Sequence, residues 1–400
     1  MTSTARLLMV SFDAVGSQDI DRLLTFPNFS ALCRRGTLVR DVSSVFVSNT
    51  YPTHTTIQTG VLPRTHGIMD NDFQEPSNKT EKWRFHVKNI RVRTLTDEAA
   101  KAGKTVCTVL YPITGGSKSI RYNFVEIAGH IPAWQRIKHT SKYGSTGFEL
   151  SSLLRFGHRM MSKKPEALDL FTTATACSAI VRKKPDLTMV HLLMADLEKH
   201  HFGPNSPEAA EALHQLDNRL GELIASLLKA DLYDTTSIIV FSDHNCCAVH
   251  TAIQPNELLI KYGLSYSDAY FHSAGGCCFL RIYNQQKKSE IAAFVQHSLS
   301  SPGFARLLTT DEMYSSGADS EFSYGFAAAD GYCFGSFEAG QHGYTLDRDQ
   351  YYTFYLAAGG KVPVNEVTTG GSLLNICPLA VDLLELEPWP MEGENRIFKR

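Results

Sequence analysis

Short apolar runs, each cut off by Asp, Gly or Pro, alternate along this chain with segments whose apolar residues recur at helical spacing. Residues 7–12 are apolar up to Asp13 and predict a buried first strand. Residues 27–35 predict a helix, with Phe29, Leu32 and Cys33 on one side and Gly36 closing it. Residues 37–47 predict a second strand that delivers the chain to Thr50. A helix over 94–101 and a strand over 105–110 follow, ending at Tyr111-Pro112 and a Gly115-Gly116 turn. Helix over 169–181, strand over 186–194, helix over 209–228 and strand over 237–241 continue the alternation. The third of these carries Leu213, Leu216, Leu220, Leu223 and Leu227 as an apolar stripe. After a change of pattern, a strand over 352–358 and a helix over 373–384, with Pro378 in its first turns, complete the series.

This alternation predicts an α/β fold, a mostly parallel central sheet with helices on both faces. Two segments break the pattern. Residues 117–165 interleave aromatic and basic residues without a clean period and read as an excursion, and 246–333, with a strand at 278–283 and a helix at 289–296, reads as an inserted α+β cap. The expected organisation is a catalytic core over 1–245, the cap over 246–333, and the core resuming over 334–400.

Composition narrows the function. A net charge of −2 without a basic block argues against a nucleic-acid polymer as partner. No apolar run approaches the roughly 18–20 residues of a membrane span, and the first run meets Asp13 too early for an export signal, so no membrane partner is expected. Nine cysteines, an odd number without C-x-x-C spacing, read as reduced thiols and predict a cytoplasmic location.

In open parallel sheets function gathers beyond the carboxyl ends of the strands. Asp13, Thr50, Asp196 and the pair Asp243-His244 each follow a predicted strand. Asp196 and His200, four apart, share one face of a helical turn, a spacing that suits a cation and equally a solvated helix face. Burying Asp243 and His244 at a strand end calls for a neutralising partner, unless both point to water. His342 sits among glycines that let the backbone come close to a bound group. Three carboxylates and three imidazoles suit zinc, or manganese or iron, and with Thr50 they suffice for two ions. Two ions about 4 Å apart hold the attacking and leaving oxygens of an in-line displacement at phosphorus. Read locally, with Pro52 in the first turn, Thr50 is a helix cap; coordination would make its hydroxyl a nucleophile.

Taken in chain order, Val10-Ser11-Phe12-Asp13, Thr50-Tyr51-Pro52 with His54, Pro63 with His66-Gly67-Ile68, Asn71, Asp196 with His200 and Gly203-Pro204, Ser242-Asp243-His244 and His342-Gly343-Tyr344 are similar to motifs of one family. The chain resembles the type I phosphodiesterases and nucleotide pyrophosphatases of the alkaline phosphatase superfamily. The resemblance implies an alkaline phosphatase-like fold. It also implies one zinc on Asp196, His200 and His342, and a second on Asp13, Asp243 and His244 with Thr50 at its open position. Asn71 would donate to a phosphate oxygen, and Tyr51 would flank the substrate or be a core aromatic. Ala14 and Asn245 stand where the family usually has Gly.

The implied reaction is hydrolysis of a small-molecule phosphodiester, nucleotide pyrophosphates included, through a phospho-threonyl intermediate. Asn71 in place of an arginine favours a diester. The alternative keeps the same metals and cleaves a monoester or the carbon–phosphorus bond of a phosphonate, with Lys118, Arg121, Arg136 and Lys138 supplying a carboxylate pocket or a solvated surface. A phosphomutase normally offers serine, a sulfatase needs a C-x-P-x-R segment, and an inactive metal-binding relative would not need Thr50.

Overall fold

The computed structural model describes residues 5–72, 75, 83–126, 140–161 and 166–398. Its main sheet is built from β1 (Arg6–Phe12), β2 (Gly36–Val42), β3 (Val106–Val109), β4 (Tyr122–Phe124), β5 (Leu187–Leu192), β6 (Thr236–Phe241), β14 (Thr353–Ala358) and β15 (Glu366–Thr369). Their order is β15-β2-β14-β6-β1-β5-β3-β4. Every neighbouring pair is parallel except those made by β14, which runs antiparallel between β2 and β6.

Leu7 to Val10 of β1 are apolar without alternation because both faces of the sheet are covered. Leu8, Val10 and Phe12 point into one core, with helices α1 (Pro27–Arg34), α5 (Ala167–Lys183) and α7 (Pro207–Lys229). Leu7 and Met9 point into the other, with Ile57 of α2 (Thr50–Thr59), with α3 (Leu95–Lys101) and with α9 (Ile376–Leu383). The five leucines of the predicted stripe are all buried on α7. In chain order α4 (Thr146–Phe156), α6 (Met194–Phe202) and α8 (Lys288–Leu299) fall between these helices.

Three sequence expectations change. Gly36 opens β2 instead of closing α1, whose last turn ends at Arg35. β2 stops at Val42, and after a last bridge from Ser43 to Ser372 residues 44–49 leave the sheet to carry the chain to α2. The segment 117–165 does not leave the core in its described part, because β4 extends the main sheet beside β3. Of the two residues that stand where the family usually has Gly, Ala14, with φ of 58°, takes a left-handed backbone and Asn245 does not.

Residues 246–333 and their flanks supply two small sheets. Strands β8 (Ala269–Ser273), β9 (Cys277–Ile282), β10 (Phe304–Leu307) and β11 (Tyr324–Ala328) form an antiparallel sheet in the order β10-β11-β9-β8. Ile291, Phe294 and Val295 of α8 pack on it in a core of their own. Strands β7 (Cys247–Ile253), β12 (Gly331–Phe334) and β13 (Gly340–Gln341) make the second sheet. Among the described residues no helix is long and apolar enough to cross a membrane.

Candidate active site

Thr50 is the first residue of α2, after the N-cap Asn49. Every residue of this helix is buried although it is rich in threonine. Thr53, Thr55 and Thr59 solve that by donating to the carbonyls of Asn49, Tyr51 and Thr55, each at 2.7 Å. Tyr51 N–H donates to Asn71 Oδ1 at 2.8 Å, Pro52 has no N–H to satisfy, and Thr50 N–H makes no hydrogen bond among the described residues. The helix thus presents one free donor beside the Thr50 hydroxyl.

Around that hydroxyl the structure gathers all six predicted ligands. His244 Nε2 lies 3.3 Å from Thr50 Oγ1, 3.4 Å from Asp13 Oδ1 and 3.2 Å from Asp243 Oδ2. Asp196 Oδ1 lies 3.1 Å from His200 Nε2 and 4.0 Å from His342 Nε2. Asp196 also falls within 4.8 Å of donor atoms of Asp13 and His244, so it stands between the two groups. A tetrahedral ion with ligands at about 2.0–2.1 Å has ligand atoms roughly 3.3 Å apart. The spacing fits.

A second observation agrees. Asp13 Oδ1, Asp196 Oδ1 and Asp243 Oδ2 are buried and, although imidazole nitrogens lie near, make no hydrogen bond among the described residues, which is costly for a carboxylate oxygen. Their companion oxygens are engaged in two cases: Asp13 Oδ2 accepts from His191 Nε2 at 2.9 Å, and Asp243 Oδ1 accepts from the Ala14 and His244 N–H groups. The left-handed turn at Ala14 brings its N–H to Asp243. Burial, with Asp196 nearby, pushes Asp13 up to about 6, and burial beside Asp13 raises Asp243 well above the carboxylate range. Two divalent cations would remove that repulsion and take up the orphaned oxygens.

The imidazoles are prepared for the same partner. Burial, with His342 close by, holds His244 well below its ordinary value, and burial with His200 takes His342 to about 4. Both rings are neutral and offer a lone pair. His200 is the exception: burial opposes its charge, but Asp196 and Glu338 raise it well above the imidazole range. A cation binding there must displace its proton.

Tyr51 is fully buried, packed with Ile68 and Ile113 and edge-on to Trp83 at 5.3 Å, so it is a core aromatic and not a surface for substrate. Asn71 keeps its place beside Thr50, its Oδ1 spent on the helix and its Nδ2 unpartnered among the described residues. The glycines flanking His342 admit protein rather than a bound group. A Cβ on Gly340 would lie 2.4 Å from Lys199 O, and one on Gly343, with φ of 80°, 2.0 Å from Ala274 O.

Supporting residues escaped the sequence. His191 holds Asp13, and Glu338 lies 2.6 Å from His200 Nδ1. His54, matched only as a motif residue, bonds Thr50 O at 2.7 Å and Ser11 Oγ at 2.9 Å. Only His191 left a signal, a titratable group in the middle of an apolar strand.

The profile of the type I phosphodiesterase / nucleotide pyrophosphatase family matches residues 7–312. Human ectonucleotide pyrophosphatase/phosphodiesterase family member 5 is 28% identical over 64% of this chain and 48% of its own length. The bis(5'-adenosyl)-triphosphatase of Xenopus laevis is 23% identical over 64% of this chain and 51% of its own. The chain thus spans about half the length of these curated relatives. The structure of murine ectonucleotide pyrophosphatase / phosphodiesterase 5, in an inactive form in complex with AMP, superposes with a TM-score of 0.73 at 20% identity over 97% of both chains, which establishes a shared fold.

Proposed function

The chain belongs to the type I phosphodiesterase / nucleotide pyrophosphatase family, and from that membership we propose that it is a two-metal hydrolase of small-molecule phosphodiesters, nucleotide pyrophosphates included, with Thr50 as nucleophile. One observation carries the reading: three buried carboxylate oxygens without hydrogen bonds among the described residues cluster with three imidazole nitrogens, one of which, His244 Nε2, meets the Thr50 hydroxyl. The names of the relatives support the substrate class.

Asp196, His200 and His342 would hold one ion, and Asp13, Asp243 and His244 the other, with Thr50 Oγ1 at its open position. The donor set suits zinc, with manganese or iron as alternatives. When bound, such ions supply Lewis acidity to the hydroxyl and the phosphate. Thr50 Oγ1 attacks phosphorus as the bond to the leaving oxygen breaks, and that oxygen departs with a proton as alcohol or nucleotide. Water then attacks the phospho-threonyl phosphorus, and its Thr50 bond breaks to release a phosphomonoester. Asn71 Nδ2 and the Thr50 N–H donate to the oxygen that gains charge in both steps.

Lys118 and Arg121 are exposed, and Arg136 and Lys138 lie outside the described residues, so nothing observed favours the phosphonate or monoester reading. We also propose a cytoplasmic location, from nine cysteines, an odd number without C-x-x-C spacing. The decisive comparison is turnover of bis-(p-nitrophenyl) phosphate, p-nitrophenyl phosphate and phosphonoacetate. The diester should be preferred, and Thr50→Ala should lower its turnover by about 10³-fold or more with metal content unchanged. Preference for either other substrate, or an active Thr50→Ala, overturns the proposal.

A further inference from the structure

One buried carboxylate outside the ligand set touches both sides of the nucleophile. Asp70 Oδ1 accepts from Asn49 Nδ2 at 2.6 Å and from the Asn71 N–H at 2.7 Å, while Oδ2 accepts from His272 Nε2 at 2.6 Å. Asp70 and His272 are 3% and 2% exposed, and His272 comes from β8, in the small antiparallel sheet. Burial works against the Asp70 charge, but His272, Asn49 and Asn71 together hold it below the usual carboxylate range.

An ionised carboxylate only accepts hydrogen bonds. It therefore compels Asn49 to turn its NH₂ toward Asp70 and its oxygen the other way, where Asn49 Oδ1 meets His342 Nδ1 at 2.6 Å. An acceptor at that position admits only the Nδ1–H tautomer of His342, which leaves the lone pair on Nε2, the atom facing Asp196.

From this geometry we propose that Asp70 and His272 are positioning residues, acting through the Asn49 amide to set the His342 tautomer and so its readiness to bind a cation. The proposal rests on the two-metal reading for its consequence, though the tautomer itself can be measured without metal. His272 makes the small sheet a participant in the site, because its hydrogen bond orients the Asp70 carboxylate that Asn49 reads.

The test uses the full chain, labelled with ¹⁵N-histidine and stripped of metal, with long-range ¹H–¹⁵N correlations and a His342→Asn spectrum to assign the ring. Zinc affinity is measured separately by chelator competition. Wild type should show His342 in the single Nδ1–H form. Asp70→Asn can donate as well as accept, so it should give a mixture of tautomers and weaken one of two zinc ions 10–100-fold. His272→Phe keeps a ring against Phe279 and Phe322 but loses the donor, and should do the same. His272→Gln retains an N–H donor and should behave as wild type in both measurements. A folded Asp70→Asn with the wild-type tautomer, or a His272→Gln as impaired as His272→Phe, overturns the proposal. If Asp70→Asn does not fold, the His272 pair decides by the same readouts. A wild-type chain that binds no zinc sinks the two-metal reading, and the metal-free spectra still decide the tautomer.

Discussion

At the scale of the residue, most of the chemistry comes from side chains that burial forces into one protonation state. His66 shows this away from the metal ligands. It is fully buried, its Nε2 lies 3.0 Å from Thr56 Oγ1, and its Nδ1 accepts the Ile68 N–H at 3.2 Å. Burial lowers its pKa to about 3, against about 6.5 in an unfolded chain. Above pH 6.5 both states are neutral. As pH falls from 6.5 toward 3, only the unfolded chain takes up the proton, so stability is lost over that window. The loss by pH 5 should be about 2 kcal/mol in urea unfolding. His66→Asn, which keeps an acceptor but cannot titrate, should lose that dependence and close the gap to wild type as pH falls. Five of the six candidate ligands were legible in the sequence because each is an ionisable residue following a strand or pairing along a helix; His342 stood out only by its motif, since its neighbouring glycines serve backbone packing. Tyr51 was not, since an aromatic beside a nucleophile reads alike whether it faces solvent or core. Asn49 and Asp70 were invisible because their roles depend on which way an amide points.

At the scale of the element, α2 is buried with little apolar periodicity, which is tolerated because its threonines satisfy themselves against their own backbone. Apolar periodicity located the strands and α7 well. It could not show that β2 ends at Val42, since β-branched residues continue past the point where pairing stops. The turn after β13 depends on backbone proximity instead. Gly276 N–H donates to His342 O at 2.7 Å, and Gly343 lies against Ala274 O, so the ligand-bearing loop is clamped to the β8–β9 hairpin. Gly343→Ala adds a Cβ at a positive φ and 2.0 Å from that oxygen. The expected cost is about 2–4 kcal/mol in chemical unfolding, with one zinc lost before the other, because His342 must move with its neighbour.

At the scale of the whole molecule, the site is assembled from three stretches that meet only in the fold: β1 and α2, then α6 and the end of β6, then the loop after β13. Ligands that bind only the native arrangement stabilise it by mass action. Chelation at neutral pH should therefore lower the melting temperature, and added Zn²⁺ should restore it in a concentration-dependent way. An unchanged melting temperature would mean that the three carboxylates tolerate one another without a cation. The class of fold was legible because alternating strands and helices leave few alternatives. The place of β14 was not, because nothing in an apolar strand declares its direction.

That placement bears on how the chain is made. β14 lies between β2 and β6, yet it begins at Thr353, more than a hundred residues after β6 is complete. At about 5–20 residues per second, β2 leaves the ribosome tens of seconds before its neighbour exists. During synthesis both strands expose an open edge, and the large sheet can close only when β14 arrives. Nascent protein should thus stay protease-sensitive and dependent on chaperones until β14 emerges, however early the nucleophile and its first ligands have been made.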